Sequence, residues 1–260
     1  MKYSNYKYFL LLIALLACMG VNKTDAQYYS KTMPNLPNFD KARYNFGFYI
    51  GGNQMLFTVK PVQNYQYITY HGRQISDLPA DSARILGING SSGLGFNVGL
   101  VSLLRFGQYF ELRFVPGLQF GERNLKYSVL CYLNGVASEE TVYKKVVSSY
   151  INVPFHLRYK AVRIHNFRPY IFMGPAFKWD LSSLRKQDDN VQNIRLKMSK
   201  GDVTFDVGVG FDIYTNWFKF GFQIEMSYGI QNILVKQNNI YASSIEPLYS
   251  KIFQINFTFE

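Results

Sequence analysis

Residues 202–230 contain two stretches in which apolar and polar side chains alternate, in opposite phase. At residues 203–213 the odd-numbered positions are apolar, and the even-numbered positions are small or charged. After a break at residues 215–216, the even-numbered positions of 218–230 are the apolar ones. Because successive side chains of a strand point to opposite faces, the pattern predicts a hairpin of two long strands, each with one apolar and one polar face.

The same alternation recurs elsewhere and predicts eight strands in total. They are expected at residues 44–59, 94–106, 110–121, 147–160, 168–181, 202–213, 217–230 and 249–260. Short turns near Gly107, Ile164 and Thr215 alternate with long loops. A strand tilted across the hydrocarbon takes about 9–11 residues, and an even number of antiparallel strands with short turns at one end is the plan of an outer-membrane barrel. We therefore predict an all-β fold, an eight-stranded antiparallel transmembrane up-and-down β-barrel at residues 44–260, with its short turns in the periplasm.

The first 26 residues have the pattern of a secretory signal peptide, which would direct the chain across the inner membrane. Two lysines precede an apolar run at residues 8–19, and small residues at positions 24 and 26 fit cleavage before Gln27. The competing interpretation is a lipoprotein signal that ends at Cys18. We favour cleavage after Ala26, because Leu16 is large for the position that it would occupy in a lipoprotein signal.

Residues 27–43 lack periodicity and are predicted to form a short extended N-terminal arm on the periplasmic side. Pro34 and Pro37 favour extended backbone and remove two hydrogen-bond donors. Three apolar side chains of the arm would be left in water by a free tail: Met33, Leu36 and Phe39. Such a tail either folds back onto the barrel mouth or docks on another protein, so these three residues are candidates for partner docking.

The polar faces of the predicted strands carry many charges that alternation directs into the barrel. The candidate lumen charge network consists of Arg105, Glu111, Arg113, Arg158, Lys178, Asp202, Asp206, Asp212, Lys219 and Glu225. An eight-stranded barrel is just wide enough for side chains to fill it, so these groups must pair with one another. The pattern therefore predicts a filled, ion-paired lumen rather than a pore or an ion path.

Composition excludes several other classes of function. The 260 residues carry a formal charge of +11 and two cysteines, and a mean hydropathy of −0.10 is too low for a bundle of membrane helices. Signal cleavage would leave Cys131 alone, in a predicted loop at residues 124–141, which excludes an internal disulfide. We find no spacing typical of a metal, cofactor or catalytic site. The basic loops are expected to face outer-membrane lipid and lipopolysaccharide rather than nucleic acid.

Several segments together resemble a known family. They are residues 34–40 (PNLPNFD), 45–50 (NFGFYI), 95–100 (GFNVGL), 112–117 (LRFVPG) and 166–170 (NFRPY). In order and spacing they are similar to the PorT family of outer-membrane barrels, over nearly the whole mature chain. The resemblance implies membership of the type IX (Por) secretion machinery of Bacteroidota, which exports proteases and gliding adhesins, and it supplies no catalytic residues.

Three functions are compatible with this sequence. The first is a non-enzymatic outer-membrane component of a protein secretion system, in contact with other secretion-system proteins. The second is a small structural or adhesin-like barrel that binds ligands through its extracellular loops. The third is a lipid-modifying enzyme, which needs a histidine with a serine or carboxylate on the lipid side. His71 and His165 are expected outside the strands and His156 inside the barrel, which disfavours the enzyme.

Overall fold

The computed structural model describes residues 34–182 and 196–260, so the predicted signal peptide and Met33 lie outside the described residues. The strands of these ranges are β1 (Tyr44–Pro61), β2 (Tyr70–His71), β3 (Ser82–Phe106), β4 (Phe110–Phe114), β5 (Gly117–Leu133), β6 (Val136–Lys160), β7 (Phe167–Asp180), β8 (Gly201–Tyr214), β9 (Lys219–Gly229) and β10 (Ile245–Phe259). Two 3-10 turns (Tyr65–Tyr67 and Gly72–Ile75) and one short helix, α1 (Ile240–Ser243), complete the described elements. None of these helices has the length and apolarity needed to cross a membrane.

The strands close into a ring, which confirms the predicted eight-stranded antiparallel barrel. β1 pairs with both β3 and β10, and the antiparallel order continues from β10 through β9, β8 and β7 to β6. β4 and β5 act as one barrel strand, because both pair with β3 on one side and β6 on the other, with a break at residues 115–116. The short connections at residues 107–109, 161–166 and 215–218 lie at one end of the barrel, here called the turn end. The opposite end is called the loop end.

The outer surface of the barrel is a belt of exposed apolar side chains. Along β7 every second side chain is buried, and those between them are exposed apart from the half-buried Pro169, as the sequence pattern predicts. The belt includes Phe46, Phe48, Ile50, Leu94, Phe96, Leu100, Leu157, Ile171, Met173, Val207, Val209, Ile224, Ile255 and Phe257. Exposed aromatic residues lie near both ends, among them Tyr44, Tyr159, Trp179, Trp217 and Tyr228. Soluble proteins rarely expose so much contiguous apolar surface, whereas a membrane barrel requires it.

One of the long loops predicted from the sequence is largely strand and another ends in a strand, and that part of the prediction is wrong. The end of the first predicted loop belongs to β3, and most of residues 124–141 form the paired ends of β5 and β6. Beyond the belt, the outer face of a strand is in contact with water, and its inner face packs against a hydrophobic core. The apolar side chains are therefore on the inner face there, whereas within the belt they are on the outer face. Leu125 and Tyr127 point inward, whereas Lys126 is exposed.

A hydrophobic core fills the loop end of the barrel. It combines inner-face residues of the extended strands with α1 and the segments around it: Phe57, Tyr70, Ile75, Ile85, Leu125, Tyr127, Val129, Cys131, Leu196, Ile233, Ile240, Tyr241 and Leu248. The Tyr127 and Tyr241 rings meet edge to face at 4.9 Å, and Lys144 Nζ lies 4.2 Å from the centroid of the Tyr241 ring. The same ammonium group pairs with Asp77 at 2.5 Å. These contacts make the described part of the loop end a packed cap.

Cys131 provides a test of this cap, because it is a core residue of β5 and not the loop residue predicted above. It is 1% exposed, and burial raises the pKa of its thiol, with a further contribution from Glu140 and Asp77. Since the thiolate is the reactive form, we expect a maleimide to modify Cys131 of the folded mature chain at least about tenfold more slowly than a cysteine at position 136. Val136 is 69% exposed, so the Val136→Cys variant with Cys131→Ser is the matched control. The modification rates are measured by mass spectrometry, and equal rates for the two proteins would show that the cap is not packed.

Candidate functional site in the barrel lumen

The described part of the N-terminal arm folds back onto the turn end of the barrel. Residues 34–42 form turns, in which the backbone N–H of Phe39 donates to the Leu36 carbonyl at 3.1 Å, and Leu36 has a φ of 49°. Asn35 is bound to the barrel through Asn166 (2.9 Å) and the Tyr214 carbonyl (3.0 Å). This differs from the extended conformation expected from the sequence, because contacts with the barrel mouth outweigh the local preference of the two prolines.

Asp40 is the main polar anchor of the arm. Its carboxylate accepts hydrogen bonds from Arg168 at 2.8 Å, Arg163 at 3.2 Å and Tyr214 at 3.1 Å, and it lies 3.5 Å from Arg105 Nη2. Burial alone would raise the pKa of Asp40, but Arg168, Arg163, Lys160 and Tyr214 together outweigh burial and hold the pKa below its ordinary value. The carboxylate therefore remains ionised at neutral pH.

The arm also contributes an apolar contact to the same mouth. The Phe39 ring packs edge-on against Tyr214, with centroids 6.0 Å apart, and Lys219 Nζ lies 4.8 Å from the Phe39 centroid. Leu36 is partly buried, and Met33 lies outside the described residues. The arm thus covers the mouth with both polar and apolar contacts.

Glu111 lies above the arm and is shared by three cations. It accepts from Arg105 at 3.2 Å and from Arg158 at 3.5 Å, and it forms an ion pair with Lys160. Arg158 also pairs with Asp212 on β8, and its guanidinium stacks on the Tyr170 ring at 3.2 Å. All of these strand residues except Arg105, at the rim, are fully buried. Such sharing stabilises charges that would be costly to bury singly.

Glu260 completes this network, although the sequence reasoning did not include it. Its carboxylate pairs with Arg113 at 2.5 Å and with Lys219 at 2.6 Å, and Lys219 lies 3.6 Å from Asp212. The alternation pattern could have identified it, because the side chains of residues 254, 256 and 258 point inward and residue 260 is the next position on the same face. Bonds of this kind cross the barrel from β4 to β9 and the end of β10.

Midway along the lumen, a group of asparagine and glutamine side chains forms hydrogen bonds across the interior. Asn97 donates to Gln254 at 3.1 Å and to Asn256 at 2.5 Å, and Gln119 donates to the same Gln254 oxygen at 3.1 Å. The Gln254 amide nitrogen donates in turn to Glu225 at 2.9 Å. These side chains come from β3, β5, β9 and β10, so they span the interior from wall to wall.

His156, Asp206 and Glu225 meet beside these amides, a grouping that the sequence reasoning missed. His156 Nε2 lies 3.3 Å from Asp206 Oδ2, and one ligand atom from each of the three residues lies within 4.8 Å of the other two. They lie on β6, β8 and β9. The intervening strand β7 contributes Gly174 opposite Asp206, so no side chain separates β6 from β8 here. Any β-carbon at Gly174 would collide with the Phe155 carbonyl.

Above this cluster, Arg123 bridges strands below the cap. Its guanidinium donates to Ser148 at 2.9 Å and to Ser250 at 3.1 Å, is bound to the Tyr150 hydroxyl, and lies 4.4 Å from the Phe57 ring centroid. Lys178 and Asp202 occupy opposing register positions on β7 and β8, both buried.

Nine of the ten residues of the predicted lumen network are buried inside the barrel, and the tenth, Arg105, is half-buried at its rim. Six of them join through shared ion pairs, directly or by way of Glu260: Arg105, Glu111, Arg113, Arg158, Asp212 and Lys219. Asp206 and Glu225 belong to the cluster with His156, and Lys178 and Asp202 form an opposing pair of positions nearer the cap. The other two histidines, His71 and His165, are exposed and do not point into the lumen.

Removal of Asp212 tests the energetic role of the network. We expect Asp212→Ala to lower the free energy of unfolding by about 3–5 kcal/mol, because Arg158 and Lys219 would lose a buried partner. Lys145→Ala is the matched control, since it breaks an ion pair with Glu122 on the outer surface and is expected to cost less than about 1 kcal/mol. Urea unfolding in detergent measures both. Equal losses would mean that the lumen charges are as well hydrated as those outside.

Asp40→Asn tests the anchor of the arm. A nitroxide on Asn38→Cys should be immobile in the wild-type background at neutral pH and mobile with Asp40→Asn, as read by electron paramagnetic resonance. Because the pKa of Asp40 is depressed on folding, its contribution is present above its ordinary value of 3.8 and is lost as the pH falls through that value and then the lower one. Asp81→Asn at the loop end is the control. Identical spectra for the two variants would contradict the anchor.

Comparison with known proteins agrees with this geometry. A model of the outer membrane protein beta-barrel domain matches residues 26–235, which is most of the chain and includes β1 to β9. A search of curated proteins finds no match. The closed ring of strands and its apolar belt are what residence in the bacterial outer membrane and contact with its lipid require. The chain belongs to the outer membrane protein beta-barrel domain family.

Proposed function

We propose that this barrel is a non-enzymatic component of a type IX (Por) protein secretion system and acts through protein–protein contacts in the export of cargo. The observation that carries the proposal is the closure of the barrel. A folded or extended cargo chain cannot pass through a lumen that is bridged from wall to wall by side chains. The contribution of the protein to export must then be made by its surfaces.

Three layers close the barrel from end to end. At the turn end the arm is bound through Asp40, and above it Glu111 and Glu260 tie the strands together. The cap core, with Tyr241 and Ile240 buried, closes the loop end. Support for the secretion system itself comes from the resemblance of the motifs at residues 34–50, 95–117 and 166–170 to the PorT family. The outer-membrane family to which the chain belongs is typically non-enzymatic.

Two surfaces outside the lipid belt are available to protein partners. At the loop end, Tyr67, Val136 and Tyr143 are 78%, 69% and 62% exposed, beyond the belt on the cap side. At the turn end, Leu36 and Phe39 belong to the folded arm, so a partner there would recognise the arm together with the rim that holds it. Met33 remains a docking candidate upstream of the described arm.

A second candidate function is a structural or adhesin-like barrel that binds ligands through its extracellular loops. The observation in its favour is the ordered cap, because exposed aromatic side chains on a rigid support lose little entropy on binding. The two functions differ in what a deletion removes: export of other proteins in the first case, and binding of a ligand at the cell surface in the second.

A deletion strain tests the proposal. We expect cargo proteins to accumulate in the periplasm and to disappear from the cell surface, as quantified by proteomics, while a periplasmic marker enzyme stays inside the cell. Complementation with Leu36→Ala/Phe39→Ala, or with Tyr67→Ser/Val136→Ser/Tyr143→Ser, identifies the contact surface if one fails at normal barrel level and heat-modifiability. Ile171→Ala on the lipid belt is the control variant. Normal export from the deletion strain would reject the secretion role, and loss of ligand binding alone would favour the adhesin.

A further inference from the structure

Three metal-ligating side chains converge inside the barrel at the level of the lumen amides. His156, Asp206 and Glu225 are all buried, and one ligand atom from each lies within 4.8 Å of the others. Each is carried by a different strand of a closed sheet, which fixes the positions of the three Cα atoms. Small changes in side-chain torsion are enough to bring ligand atoms at these separations onto one ion.

The electrostatics of the cluster require a cation or a proton between its carboxylates. Asp206 and Glu225 are neighbours in a buried site, where two ionised carboxylates repel strongly unless something positive lies between them. Of the nearby cations on the described strands, Arg113, opposite His156 in the register, is bound by Glu260 at 2.5 Å. Lys178 Nζ has no hydrogen-bond partner among the described residues, and its charge is shared by Asp202, Asp206 and Glu225, so one ammonium group faces three carboxylates. The cluster therefore has an excess of negative charge when His156 is neutral.

We propose that His156, Asp206 and Glu225 form a binding site for a divalent transition-metal ion, with zinc as the best-fitting probe. One imidazole nitrogen and two carboxylate oxygens form a donor set that such ions accept, and the absence of a thiolate among these three ligands is compatible with zinc, iron or manganese. Two carboxylates and one divalent ion are together neutral, which removes the electrostatic cost of the bare cluster.

The surrounding side chains orient the three ligands as outer-shell groups do in metal sites. Glu225 accepts hydrogen bonds from Gln254 at 2.9 Å and from Asn256 at 3.5 Å, and Asp206 accepts from Thr204 at 3.0 Å. The His156 ring packs against the Phe172 ring at 4.9 Å. These partners are neutral, so they fix the carboxylates in place without cancelling their charge.

A metal ion here would cross-link the barrel wall across β7, because β6 supplies the histidine and β8 and β9 supply the carboxylates. The lumen is filled both above and below the site, so loading is expected to accompany folding rather than to follow it. The inference is independent of the proposed secretion role, since a barrel of any function can contain such a cross-link.

The test is refolding of the full mature chain from urea into detergent with either zinc chloride or EDTA, followed by desalting and elemental analysis. We expect about one zinc ion per chain, a higher unfolding temperature in zinc than in EDTA, and visible d–d absorption when cobalt chloride replaces zinc. His156→Ala and Glu225→Gln should each weaken zinc retention at least about tenfold. His71→Ala/His165→Ala, which removes the two exposed histidines, is the matched control and should retain zinc.

Three results would overturn the proposal. The first is wild-type protein that refolds, as judged by heat-modifiability on gels, yet retains no zinc and shows no cobalt absorption, in which case a shared proton neutralises the cluster. The second is zinc that is lost from the control variant, which would place the ion at the surface. The third is unchanged retention by Glu225→Gln and His156→Ala. If His156→Ala fails to fold, the cobalt spectrum of the wild type and the more conservative Glu225→Gln variant decide.

Discussion

A lumen enclosed by only eight strands has little room for bulk water, so each charge inside it must be neutralised by a neighbouring opposite charge. Glu111 illustrates the consequence, because it is shared among Arg105, Arg158 and Lys160 rather than paired with one of them. On the outside, the backbone N–H and C=O groups must also find partners within the protein, because lipid offers none. Only a closed sheet gives every strand a hydrogen-bonded neighbour on both sides. Closure of the ring and neutralisation of the lumen are therefore coupled: the inward charges can be buried only because strands distant in sequence bring their partners to them.

The solvent on the outside of the wall explains why the strands change character along their length. Within the belt the outside is apolar and the inside polar, as in the Phe253–Phe257 segment of β10. Beyond the belt the outside is water, and Leu248 and Ile252 of the same strand point inward to apolar neighbours. One continuous strand thus contributes polar side chains to the lumen within the belt and apolar side chains to the hydrophobic core beyond it. The change occurs without a break in the ladder, because a period of two is common to both regimes.

The amino-acid sequence predicts what depends on local alternation and fails where register or long-range contact decides. The hairpin at residues 202–230, the three short turns and the inward orientation of Asp206 and Asp212 follow from phase alone. The strand portion at residues 124–133 also alternates, but its apolar face is the inner one, so the pattern of a lipid-facing strand does not identify it. The meeting of His156 with Asp206 depends on the pairing of β7 with β8 and on Gly174, which no spacing in the sequence reveals. The predicted network therefore contained the charged members of this cluster without the contact that joins them to His156.

The arm shows how an electrostatic imbalance can decide the conformation of a segment against its weak local preference. Near the turn end, Arg163 and Arg168 add to the cations of the lumen network, whereas Glu111, Asp212 and Glu260 are already shared by several partners. Asp40 supplies a further carboxylate at the place where positive charge is in excess, and Phe39 covers the mouth beside it. The preference of the two prolines for extended backbone does not prevent this, because a chain of ten residues needs only a few turns to carry Asp40 inward. The fold-back of the arm is thus a consequence of the charges in the lumen, and it could not have been read from the arm alone.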